Sequence, residues 1–172
     1  MIIDAGTRRI ALVDDQVAAV YLASSVHTAA LKRTRVSAQG RRVVVELQRQ
    51  ISGHPQRALV GASLRPSAGH ALKIEVPTSG TLTRGAAAEC PSFLDEPLVA
   101  GLPSEFAPSV VEGLAEVDAL GSGLLRIDRA AYDELASSPW AFRHAAEILA
   151  LALTEDHERM TDVVRERMAN WG

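Results

Sequence analysis

Residues 41–51, RRVVVELQRQI, alternate: Val43, Val45 and Leu47 fall on one side, Val44, Glu46 and Gln48 on the other. A period of two predicts a half-buried strand. Ala58, Val60, Ala62 and Leu64 repeat it after the turn-type run SGHPQ, so 41–64 reads as a β-hairpin. Leu72, Ile74 and Val76 mark a third strand. Residues 78–92 carry turn residues and no period, a long loop with the composition of a mobile one. At 103–117 the period becomes helical through Phe106, Val110, Leu114 and Val117. GSGLLRID reads as a short strand, and Ser138-Pro139 opens a helix striped by Phe142, Ala145, Leu149 and Leu153. Helical spacing resumes at Met160, Val163, Val164 and Met168. Near the N-terminus, 15–33 reads as a helix capped by Asp14 or Asp15, with Val17, Val20, Tyr21 and Leu31 as its apolar positions.

The core order is therefore three strands, a helix, a strand and a helix. The expected fold is α+β: a two-layer sandwich with an antiparallel-type sheet over 43–76 lying under helix 108–117. An N-terminal helical extension (1–40) and a C-terminal one (156–172) flank a core at 41–155.

The helix at 103–117 holds two prolines, Pro103 and Pro108, although an interior proline costs ~3 kcal/mol. The cost vanishes if Pro103 begins a short turn and Pro108 sits at the first helical position, where no N–H partner is lost. Phe106 between them is then free to anchor the helix from below.

With 172 residues and 47% apolar content the chain can bury one core, filled by Ala, Val and Leu because aromatics are only 4%. The lone Cys90 excludes an internal disulfide and reads as a small buried apolar residue. Asp4, Arg8 and Arg9 break up the N-terminus, and no apolar run reaches eighteen residues. A soluble, cytoplasmic protein without membrane contact is expected.

The net charge of −3 hides an asymmetry: +7 over residues 1–88 and −10 over 89–172. One consequence is a basic face for RNA phosphates; the other is attraction between the two halves. The densest basic stretch holds Lys32, Arg33, Arg35, Arg41, Arg42, Arg49 and Arg57 against Glu46 alone, and these seven are the candidate RNA-binding residues.

Gly101, Pro103, Glu105, Phe106, Pro108, Val110 and Gly113 resemble the opening of the first helix in the fourth domain of translation elongation factor G and its relatives. Tyr132, Ser137, Ser138, Ala141 and Phe142 resemble that domain's later signature, and the similarity spans roughly 42–153. The resemblance implies a paddle that enters the ribosomal aminoacyl site and acts through two tip loops. The matching loops are Ser52-Gly53-His54-Pro55-Gln56 and Tyr132-Asp133-Glu134-Leu135. They depart from the family, which has a glycine-rich first loop with an Arg and a His after the Tyr. The tip candidates are Ser52, Gly53, His54, Tyr132, Asp133 and Glu134.

No G-x-x-x-x-G-K-[ST] run is present, so the family's GTPase machinery is missing. His144 and Glu147 share a helix face, but Asp156 and His157, the nearest further ligands, lie two to three turns away, too far to complete a metal site. Ser137 or Ser138 with His144 and Asp133 lacks a nucleophile elbow. The sequence thus predicts a non-enzyme without cofactor or metal that binds the ribosome or another structured RNA, with no DNA partner. The alternative is a protein-interaction or homo-oligomeric domain that kept the fold alone.

Overall fold

The computed structural model describes residues 1–13, 19–36, 40–87 and 89–171. Among them, eight strands form one sheet: β1 (Ile2–Ala5), β2 (Arg8–Val13), β3 (Ser25–Lys32), β4 (Arg41–Ile51), β5 (His54–Pro66), β6 (Ala71–Thr78), β7 (Val99–Ala100) and β8 (Gly123–Tyr132). Three α-helices accompany it: α1 (Ala107–Ala115), α2 (Pro139–Thr154) and α3 (His157–Ala169). The sheet runs β1-β2-β4-β5-β8-β6-β3, with β7 paired to the end of β8. The mixed α+β class, one sheet with three helices, agrees with the sequence pattern.

Two expectations are corrected. Residues 25–32 are a strand, not part of a helix, and pair antiparallel with β6 from Ser25↔Thr78 to Lys32↔Ala71. The expected helix caps Asp14 and Asp15, with Val17, lie outside the described residues. Residues 2–32 therefore supply three strands to the sheet instead of a helical extension. The aspartate cap and the spacing of Val17, Val20, Tyr21 and Leu31 suggest a helix, but Val26 and Thr28 are β-branched and prefer a strand.

Secondly, 43–76 is not a contiguous antiparallel sheet. β4 and β5 pair antiparallel, but β8 lies between β5 and β6 and runs parallel to β6. Carrying the chain from β6 through α1 to β8 makes a crossover, whose two strands are parallel. Gly123 is what lets β8 enter. A Cβ there would lie 2.5 Å from the Arg65 carbonyl oxygen, and its φ of +156° is one that side-chain-bearing residues rarely adopt.

All three helices lie on one side of the sheet. Val43, Val45 and Leu47 of β4 and Ala58, Val60, Ala62 and Leu64 of β5 face Val110, Leu114, Phe142, Ala145 and Leu149 in one buried cluster. A single 3₁₀ turn (Ser104–Phe106) follows Pro103, and Pro108 sits in the first turn of α1. Phe106 is 5% exposed and stacks on Phe142, with ring centroids 4.7 Å apart. Both prolines are thus explained by helix entry. Gly113 permits backbone contact between α1 and α2, since a Cβ there would lie 2.0 Å from the Arg143 carbonyl oxygen.

The opposite face is partly covered. Cys90 and Leu98, which bridge one another, pack with Phe93 on Val44, Leu59 and Ala131. Residues 90–98, which begin at the end of the period-free stretch, are in this way a cover for part of that face.

Candidate nucleic-acid interface

The seven candidate cations do not converge. Lys32, Arg33, Arg35, Arg41 and Arg42 lie at the end of the sheet where β8 begins: the Arg33 amide donates to the His70 carbonyl, and the Ser122 amide to that of Arg35. Arg49 and Arg57 lie toward the opposite end, where β4 turns into β5. Eight residues of strand separate Arg41 from Arg49, about 26 Å at ~3.3 Å per residue.

Arg57 does not face solvent. It is 3% exposed, and its guanidinium contacts the Glu46 carboxylate at 3.3 Å, Asp133 at 3.5 Å, the Ser92 hydroxyl at 3.2 Å and the Glu96 carbonyl at 2.6 Å. Glu46, fully buried, also accepts from the Ser92 hydroxyl and the Phe93 amide, each at 2.6 Å. Residues 92–96 are pinned to the sheet by this pair. Sequence reasoning counted Arg57 as an RNA ligand because it missed the carboxylate eleven residues earlier, facing it across the hairpin. Arg49 lies over the Trp140 ring at 4.6 Å, Arg42 pairs with Asp128 at 2.6 Å, and Arg41 donates to the Glu155 carbonyl at 3.1 Å.

Both tip loops do sit at one end. The first is shorter than expected: Ser52 and Gly53 alone turn the chain, both at positive φ, and Ile51 pairs with His54. His54, Pro55 and Gln56 belong to β5. In the second loop Tyr132 is 4% exposed, Asp133 accepts from the amides of Leu135 and Ala136 at 2.9 Å, and Glu134 accepts from the Gly85 amide. Ser137 donates to the Arg57 carbonyl at 2.7 Å, and Ser138 caps α2 by accepting from the Ala141 amide. Tyr132, Asp133 and Glu134 thereby hold the loop's own shape.

The residues that sequence reasoning missed lie on the helix-free face. In one cross-strand row Arg42 is opposite Ser63, Ser63 opposite Arg126, Arg126 opposite Glu75 and Glu75 opposite Thr28. In the next row Arg65 is opposite Leu124 and Leu124 opposite Lys73. Ser63, Arg65, Glu75, Leu124 and Arg126 line a depression of about 390 Å³. Arg126 pairs with Glu75 at 2.7 Å and stays half exposed. Arg65 and Lys73 are exposed and make no ion pair among the described residues. The signal was present in the sequence: each cation alternates with a core residue, Leu64 before Arg65 and Leu72 before Lys73. Tyr21 borders this surface, its hydroxyl donating to the Pro77 carbonyl at 2.6 Å; burial and Asp128 push its phenol pKa up, against Arg126.

Other chemistry is held in structural contacts. Glu147 accepts from Trp171 Nε1 at 3.0 Å and from Arg167, and lies 3.0 Å from His144 Nδ1. Burial pushes the Glu147 pKa up, but His144, Arg167 and Trp171 outweigh it and hold the carboxyl below its ordinary range. Asp156 precedes α3, the His157 side chain lies outside the described residues, and no group of three or more potential metal ligands occurs among the described residues. The Cys90 thiol is pushed up, mainly by burial. Among the described residues no helix is long and apolar enough to cross a membrane.

The chain matches no protein-family model and no curated protein.

Proposed function

We propose that the chain is a non-catalytic, stand-alone module of the type of the fourth domain of elongation factor G, and that it binds structured RNA through the helix-free face of its sheet. The motif residues that suggested the family support the fold part of this reading. Phe106, Val110, Gly113 and Phe142 serve the junction of α1 with α2, and Pro108 the entry to α1, which is where a shared fold leaves its mark.

The RNA part rests on one observation, the exposed cations Arg42, Arg65, Lys73 and Arg126 on adjacent strands, with Arg65 and Arg126 lining a depression between them. Neighbouring strands are ~4.8 Å apart and same-face residues ~6.7 Å apart along a strand, so these groups span several phosphates. Arginine forks grip phosphate oxygens with two N–H groups, whereas Lys73 contributes a point charge. Glu75 and Asp128 position Arg126 and Arg42 without neutralising Arg65 or Lys73.

Fluorescence anisotropy with a labelled ribosomal RNA hairpin tests it. Binding is expected at low salt and falls steeply as salt rises. Arg65→Glu with Lys73→Glu lowers the log–log salt slope by about 2, one for each lost phosphate contact. Duplex DNA should compete poorly. Absence of binding at low salt, or a double variant that binds like the parent, refutes the proposal.

A further inference from the structure

We propose that the chain forms a two-fold dimer in which β3 of one copy pairs antiparallel with β3 of the other. β3 is an outer strand of the sheet and eight residues long. Natural edges are blunted by several charges, a proline, a bulge or a covering element. SVHTAALK carries no proline, no bulge and no charge beyond the terminal Lys32; α1 contacts it, yet among the described residues six of its eight positions stay exposed. The opposite edge differs: β1 has only four residues and includes Asp4.

The pattern of backbone bonds identifies the free groups. The Arg33 amide donates to the carbonyl of its partner His70, so odd-numbered residues of β3 bond to β6. By the antiparallel alternation, Val26, Thr28, Ala30 and Lys32 turn their N–H and C=O groups outward, the Lys32 carbonyl also accepting from Arg33 Nη1 at 3.2 Å. A two-fold centred on Ala29 sets Thr28 opposite Ala30 of the second copy and Lys32 opposite Val26. No like charges meet. The aliphatic stem of Lys32 then covers Val26, which is 48% exposed in the single chain and lies four residues from Leu22, 93% exposed. A second copy fits this edge because the strand is complementary to itself in charge and register. The axis stands perpendicular to the sheet, so both helix-free faces point the same way. The dimer itself does not depend on the RNA reading.

Light scattering coupled to size exclusion tests it on the full chain, without RNA, at about 100 µM, well above a micromolar Kd. A dimer mass is expected. Thr28→Pro removes only an outward N–H, and Ala30→Lys places a charge on the edge; each should yield a monomer with an unchanged far-UV circular dichroism spectrum. If one variant misfolds, the other still decides. A monomeric parent, or a folded variant that remains dimeric, overturns the proposal.

Discussion

Gly113 shows how a single residue carries a family-like motif for a structural reason. Helix propensity alone favours alanine there by about 1 kcal/mol. The Arg143 carbonyl would lie 2.0 Å from the new Cβ, and backbone cannot move aside as a side-chain tip can. We therefore expect Gly113→Ala to destabilise by about 2 kcal/mol net, read from the shift of the urea midpoint. A stabilised variant would mean that α1 and α2 separate freely. The prolines of this motif were legible in the sequence because each answers a local backbone requirement, whereas Gly113 answers to Arg143 on another helix. Arg57 was misread because its partner Glu46 is set by hairpin register, which charge counting along the chain does not see.

Among the elements, strands facing the core were read well and the edge was not. β4, β5 and β6 bury one face against helices, so their alternation is sharp. β3 is exposed on most positions, which erases the apolar rhythm and leaves only an alanine-rich string. The position of β8 was equally hidden, because adjacency in a sheet depends on the crossover and on the close approach at Gly123. At the other end of the molecule, α3 is fastened to α2 by Glu147 and to β2 by Arg8, which donates to the carbonyls of Met168 and Trp171 at 2.6 Å. Glu147 has a folded pKa below its ordinary 4.5, so it adds stability above that pH and loses it as pH falls through the lower folded value. Glu147→Gln should cost about 1–2 kcal/mol at neutral pH, because Arg167 and Trp171 lose a charged acceptor. It should also flatten the decline of stability below pH 4.5, measured by urea unfolding across an acid series. Parallel acid limbs in parent and variant would place the acid sensitivity elsewhere.

Across the whole molecule, the charge asymmetry between the halves is partly spent inside the fold. Arg42 pairs with Asp128 and Arg57 with Asp133, each joining the basic half to the acidic half. What remains exposed, with Arg65 and Lys73 foremost, is local. The same stitching bears on how the chain divides. Residues 41–155 were expected to form a core with helical extensions, but β2 pairs with β4 over six positions and β3 with β6 over eight. Removing 1–40 would bare both β4 and β6, two long strands with unsatisfied backbone groups and one apolar face. The intact chain should accordingly unfold in urea in one step, with circular dichroism and the fluorescence of Trp140 and Trp171 following a single curve. The 41–155 fragment should aggregate or stay unfolded when expressed alone. A soluble fragment with cooperative unfolding would show instead that β1 to β3 are an addition to a self-sufficient unit, and that the sheet is held from its middle rather than from its edges.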